Sequence, residues 1–285
     1  MKQYKLIILF LFTILFVSCS SDDGKISFTI LQLNDVYEIS SIQGGKYGGM
    51  ARVETVHQEL VAKNKNTLLV MAGDFLNPSL LGTMKHEGVR VRGKQMIEVM
   101  NAMSFDVVAF GNHEFDIPKK DLQKRMDESN FPWISSNVFN KTADSIKQFY
   151  QELSGVKRLI KGSFIKEIFD EDGTKIKVGF ISVCIPSNPK DYVLYKDMFS
   201  SIVKEYESIK NKVDIVIGLT HIKIEHDREI AKLLPNIPLI MGGHEHTNKN
   251  EMIGNVRITK ADANAKTAYI HSINYEKKIK TLSFL

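Results

Sequence analysis

Cysteine is scarce: the 285-residue chain has two, Cys19 and Cys184. Cys19 falls in the leader described below, so the body keeps one thiol and no disulfide framework can form within a chain. Cys184 ends an apolar pattern, Val178-Gly179-Phe180-Ile181-Ser182-Val183-Cys184, and reads as a buried structural thiol rather than a nucleophile or ligand. A basic stripe with interleaved aromatics is also lacking. The formal net charge is +5, and Lys and Arg are scattered apart from Lys277, Lys278 and Lys280, so nucleic-acid binding has no support. No internal repeat or low-complexity segment occurs. The apolar run from Leu6 to Val17 falls short of the ~18 residues of a membrane span. What remains is 43% hydrophobic, enough for a full core in one large domain or two small ones.

The first residues predict export. Lys2 and Lys5 precede the apolar run, as in a signal peptide. Phe16-Val17-Ser18-Cys19 resembles a bacterial lipobox with Phe16 where Leu is usual. The expected organisation is a lipoprotein-type signal peptide over 1–18, a polar tether over 19–25 and a catalytic body over 26–285. The protein is then a lipid-anchored envelope or surface protein. Replacing the anchor (Cys19→Ser) should release it from membranes; unchanged partition and mobility would leave a plain secretory signal.

Along the body, strand and helix patterns alternate. Strands are expected over Ile26–Leu33, Thr67–Ala72, Phe105–Phe110, Ile176–Cys184, Val213–Leu219 and Pro238–Met241. Trp133–Val138 and Phe164–Ile168 are weaker strand patterns. Helices are expected over Ala51–Lys63, through Val53, Val56, Leu60 and Val61, and over Arg92–Met103, Pro118–Glu128, Met198–Lys212 and His226–Leu234. The last part, from Val256, reads as strands in hairpins. Asp170-Glu171-Asp172-Gly173 reads as a solvated hairpin turn rather than a Ca²⁺ loop. The alternation implies a layered α/β architecture with a largely parallel core.

The strand ends carry the chemistry. They run into Asn34-Asp35-Val36-Tyr37-Glu38, Gly73-Asp74, Gly111-Asn112-His113, Thr220-His221 and Gly242-Gly243-His244-Glu245-His246. Each alone has an ordinary explanation: a turn residue at Asp74, a satisfied buried imidazole at His221, a polar helix start at Asp116-Ile117-Pro118. Five together, at the edge where open α/β sheets bind ligands, point to a site. His57, His86, His226 and His271 lie elsewhere and read as surface or hydrogen-bonded histidines. Asn112 can offer a carbonyl oxygen to a metal. His113 can move a proton near neutral pH, with Asp116 close enough to orient it. Carboxylate, amide and imidazole without thiolate favour Mn²⁺, Zn²⁺, Fe or Co²⁺. The ligands suffice for two divalent ions about 3.5–4 Å apart, a spacing suited to phosphoester cleavage.

These motifs, in this order, resemble those of calcineurin-like metallophosphoesterases. Leu33-Asn34-Asp35, Gly48-Gly49-Met50-Ala51-Arg52, Gly111 to Asp116 and Asn264-Ala265 resemble the 5′-nucleotidase and UDP-sugar hydrolase branch, from about Ile30 to the C-terminus. The resemblance implies a sandwich of two mixed β-sheets flanked by helices. It also implies a metal-dependent hydrolysis of phosphoesters, nucleotides among them, by a metal-bound hydroxide. Asp35 and His246 would hold one metal, Asn112, His221 and His244 the other, and Asp74 would bridge them. His113, paired with Asp116, would stabilise the transition state or protonate the leaving oxygen.

Two features depart from the pattern. Tyr37 stands where the family usually has a ligand His. The family's nucleotidases also carry a base-binding C-terminal domain, so a separate polypeptide of that kind is the expected partner. Phosphodiesterase and protein phosphatase activity are the alternatives within the enzyme class. A non-catalytic binding lipoprotein with a weakened metal site is the alternative outside it.

Overall fold

A computed structural model describes residues 23–284 apart from 188, 278 and 280. The expected signal peptide and Cys19 lie outside the described residues. Two six-stranded mixed sheets form the body. The first takes β1 (Lys25–Leu33), β2 (Thr67–Met71), β3 (Val107–Ala109) and β4 (Trp133–Ile134). The second takes β5 (Ser163–Phe169), β6 (Lys175–Ile181), β7 (Ile215–Thr220), β8 (Leu239–Gly242), β9 (Lys249–Ile253) and β10 (Val256–Lys260). The chain then returns to the first sheet as β11 (Tyr269–Glu276) and β12 (Thr281–Phe284). Spatial orders are β12-β11-β1-β2-β3-β4 and β5-β6-β7-β8-β10-β9. The pairs β1–β2, β2–β3 and β3–β4, and β6–β7, β7–β8 and β8–β10, are parallel; the remaining pairs are antiparallel.

Side-chain alternation builds the layers. In β1, Phe28 and Ile30 point between the sheets and meet Val178, Phe180, Ile217 and Met241; Leu31 and Leu33 point the other way, under the first sheet's helices. Those are α1 (Met50–Lys63), α2 (Lys94–Ala102) and α3 (Lys119–Glu128), with Met96, Met100 and Met103 packed in that core as ordinary apolar filler. On the far face of the second sheet, α4 (Met198–Ile209) and α5 (Ile224–Leu233) bury Ile202, Ile209 and Ile230.

Three expectations need correction. The inward face of α1 is Met50, Val53 and His57, with Leu60 partly buried, whereas Val56 and Val61 face solvent. His57 is held by Glu54 Oε2 at 3.2 Å. Trp133–Val138 is not one strand: β4 stops at Ile134, and Val138 opens a separate strand, Val138–Lys141. The C-terminal strands do not form one set of hairpins. β10 pairs with β9, which the sequence did not announce, and β11 crosses to the first sheet to pair with β1. β9, an edge strand, alternates half-buried with exposed residues and buries none fully, so its pattern is faint.

The carboxyl ends of β1, β2, β3, β7 and β8 share one edge. Pairing continues past the strands: Asp35 N–H donates to Gly73 O, Gly243 N–H to Thr220 O and His221 N–H to Val183 O. That continuation fixes where the polar residues of the strand ends fall.

Candidate metal centre

Asp35, Asp74 and His221, all fully buried, converge so that one ligand atom from each lies within 4.8 Å of the others. His221 Nδ1 is 2.7 Å from the Ala72 carbonyl, which fixes the proton there and leaves Nε2 facing Asp74 Oδ2 at 3.0 Å and Asp35 Oδ1 at 3.9 Å. Burial disfavours positive charge on this ring, but Asp74 and Asp35 outweigh it and push His221 up to about 10. Burial likewise opposes charge on Asp35, yet His221, His246 and the Asn34 amide hold its carboxyl down at about 2. The edge is therefore organised to attract positive charge.

The remaining strand ends close around this cluster. His246 Nε2 lies 3.2 Å from Asp35 Oδ1, and the His244 N–H donates to Asp35 Oδ2 at 2.9 Å. The His244 ring meets His221 edge-on, with centroids 5.5 Å apart. Burial first, and then the His221 charge, pull His244 down to about 4, so its ring is a neutral donor. The Asn112 side-chain oxygen is buried and has no hydrogen-bond partner among the described residues. Such an orphan is costly unless something outside the protein uses it. Buried carboxylates, imidazoles and one spare amide oxygen form a donor set that fits divalent cations.

Four of these residues bend against preference. Asp35, Asp74, His244 and His246 have φ of 53°, 57°, 89° and 60°, in the left-handed region that non-glycine residues avoid. Each costs about 1–3 kcal/mol and persists only where neighbours over-determine it. The neighbours are visible. Asn34 Nδ2 holds Asp35 Oδ2 at 2.8 Å, and the His113 N–H holds Asp74 Oδ1 at 2.7 Å. A Cβ on Gly111 would overlap Asp74 Oδ1, so glycine is required there.

Asn112 opens a short 3-10 turn, His113–Asp116, rather than α3 itself, which starts at Lys119. The turn brings His113 Nδ1 within 2.5 Å of Asp116 Oδ2. Asp116 is also approached by Asn77 Nδ2 at 3.3 Å and Lys190 Nζ at 3.4 Å, so the carboxylate is anchored from two other segments. Tyr37 stands inside the cluster. Its hydroxyl is 2.8 Å from His246 Nε2, 3.3 Å from Asp74 Oδ2 and 3.4 Å from Asp35 Oδ1. Burial, then the Asp74 and Asp35 charges, push its phenol far up.

The sequence match to known proteins is decisive here: residues 28–248 match the calcineurin-like phosphoesterase family. The chain belongs to that family. This phosphoesterase is 30% identical over 244 residues to a snake venom 5′-nucleotidase of Crotalus adamanteus, covering 79% of this chain and 38% of that protein. It is 30% identical over 240 residues to the human 5′-nucleotidase, covering 79% and 39%. The chain thus spans well under half the length of these relatives. Its fold is similar to the solved calcineurin-like phosphoesterase YfkN of Bacillus subtilis (TM-score 0.70, 21% identity, 91% of this chain and 88% of that one). It is also similar to a 5′-nucleotidase precursor of Thermus thermophilus (TM-score 0.70, 21% identity, 91% and 54%).

Two residues that sequence reasoning passed over hold the phosphoesterase edge together. Glu114 is fully buried and accepts four backbone N–H bonds: Oε1 from Phe75 and Leu76 at 2.7 and 3.1 Å, Oε2 from Asp74 and Gly111 at 2.9 and 2.6 Å. Burial, with the Asp74 charge, lifts its carboxyl to about 7 against the pull of those amides. Lys260, at the end of β10, is fully buried as well. Its ammonium donates to Ile222 O at 2.5 Å, Gly243 O at 2.8 Å and Glu245 Oε2, and lies 2.8 Å from Asp227 Oδ2. One cation thereby ties the segment after His221 to the segment carrying His244 and His246. Glu114's signal was its place inside the Gly-Asn-His-Glu run. Lys260 had none, because its partners lie 15–38 residues away.

Proposed function

We propose that this chain hydrolyses phosphoesters, nucleotides among them, at a centre of two divalent metal ions. Asp74, grouped with Asp35 and His221, would bridge the two. Asp35 and His246 would complete one position; Asn112, His221 and His244 would complete the other. The observation that carries the reading is the buried Asn112 oxygen, which has no partner among the described residues and whose chain neighbours Gly111 and His113 both abut Asp74 of the Asp35–Asp74–His221 cluster. When bound, such ions supply Lewis acidity for the phosphoryl oxygens and an acidified water as nucleophile. The protein's own contribution is position. His113 is fixed by its N–H to Asp74 and by Asp116 at Nδ1, which leaves Nε2 to face substrate and to give a proton to the leaving oxygen. Nucleotides are favoured by the 5′-nucleotidase relatives.

The metal ligands engage a phosphoryl group and treat many esters alike; selection among leaving groups needs contacts with the rest of the substrate. His246 and His113 are partly open, with side-chain exposures of 48% and 29%. A separate polypeptide docking over the strand ends near them is our proposal for that selection, and attachment at Cys19 our proposal for the export route. The test is a phosphoester panel run on metal-stripped and metal-reloaded protein. The isolated chain should cleave activated aryl esters with little preference among nucleotide bases. Tight, base-selective hydrolysis would remove the need for a partner.

A further inference from the structure

The two halves of the donor set are not equivalent. In the half around Asn112 and His221, the amide oxygen is buried and spare, and the buried His221 Nε2 meets Asp74 Oδ2 at 3.0 Å, the carboxylate that an ion there would share. Asn112 Oδ1 has no partner among the described residues, and His221 Nε2 is turned toward the carboxylates by the Ala72 carbonyl at its other nitrogen. A cation arriving there breaks no hydrogen bond with Asn112 and finds the imidazole already aimed. In the half around Asp35 and His246, the donors are engaged with one another. The Tyr37 hydroxyl is 2.8 Å from His246 Nε2 and 3.4 Å from Asp35 Oδ1, and it also reaches Asp74 Oδ2 at 3.3 Å. It occupies the middle of the three side chains that would have to converge on an ion.

From this geometry we infer that Tyr37 makes the centre a site of two unequal affinities, with its hydroxyl competing against the cation at the Asp35–His246 position. Entry at that position breaks the Tyr37–His246 contact and turns the phenol aside. A neutral phenol returns little in exchange, being a weaker donor to a hard cation than a carboxylate or an imidazole. Solvent sharpens the contrast. The His246 side chain is 48% exposed and that of His221 is fully buried, so the second ion is also the one open to exchange with water. Tyr37 itself is held firmly. Asn264 Oδ1 accepts from the backbone N–H groups of Tyr37 and Glu38, and the ring packs edge-on to His113 and His246. The consequence is a protein that keeps one divalent ion through purification and takes the second only from a supply of free metal.

The inference rests on the two-metal reading above, and the experiment separates the two. Chelator-stripped protein is titrated with Mn²⁺ by calorimetry, and metal content is measured by mass spectrometry after desalting. Wild type should show two steps, the second weaker by roughly 10–100-fold, a range known for residues next to metal ligands. It should retain one ion on desalting. Removing the hydroxyl (Tyr37→Phe) should tighten the second step, and Tyr37→His, which substitutes an imidazole, should retain both ions. Circular dichroism and thermal melts check that each variant folds; if neither does, the wild-type titration still decides. Two equal steps in wild type, or a weaker second step in Tyr37→Phe, would overturn the competing role of the hydroxyl and leave the hydrolase reading intact. No binding at either position would overturn both.

Discussion

Removing the His113 imidazole (His113→Ala) is expected to lower kcat by roughly 10²–10⁴-fold, the usual worth of a positioned general acid or base. Metal content should stay near wild type, because the ring's contacts run to Asp116 and not to the carboxylate cluster. The backbone N–H of residue 113 still holds Asp74 Oδ1 in the variant, so the strained Asp74 turn survives. Loss of the ring acts on the proton and not on the fold. KM for a good leaving group should change little, and esters with poor leaving groups should suffer most, since they need protonation most. Loss of metal from the variant would reassign His113 as a ligand.

The largest stability effect is expected at Glu114. Glu114→Ala strips the acceptor from four buried N–H groups, those of Asp74, Phe75, Leu76 and Gly111. Each unsatisfied buried donor costs about 1–3 kcal/mol, and the strained turn at Asp74 loses the carboxylate that helps hold it. At roughly 2–4 °C per kcal/mol for a domain of this size class, the melting midpoint should drop by at least about 8 °C. Metal affinity should fall with it, because Asp74 is the residue released. Glu114→Gln keeps one oxygen acceptor and turns the other position into a donor facing N–H groups, so it should fall between wild type and Ala. A Glu114→Ala variant that melts like wild type would show that water replaces the carboxylate at no cost.

The site was largely legible because its residues follow apolar strands. Parallel strands align their carboxyl ends within each sheet, so the strand pattern groups the candidate residues Asp35, Asp74 and Asn112 in one sheet and His221 and His244 in the other; that the two groups meet comes from the packing of the sheets. The His113–Asp116 pair was legible because it is local, three residues apart in one turn. What the sequence did not disclose is what depends on distance along the chain. Lys260 resembles any strand lysine until β10 is laid beside β8 and its ammonium meets Asp227, Glu245 and two carbonyls. Glu114 resembles a further ligand or a surface acid until its oxygens are seen to be spent on amides of the Asp74 turn. The spacing pairs Asp116 with His113; that Asn77 and Lys190 brace it comes from loops that the pattern does not place. In the fold, the parallel core was readable from continuous β-branched runs, whereas the destination of β11 was not. Nothing in Tyr269–Glu276 says that it leaves the hairpin beside β10 for the other sheet.

Whether Asp74 and its neighbours hold divalent ions that cleave phosphoesters is decided by stripping the purified chain with a strong chelator. Hydrolysis of an aryl phosphate is then measured before and after reloading with Mn²⁺, Zn²⁺ or Co²⁺, with bound metal counted in parallel. Activity should disappear with the metal, return on reloading, and fail to return in Asp74→Ala. Full activity in the stripped protein, with bound metal below detection, would contradict this expectation.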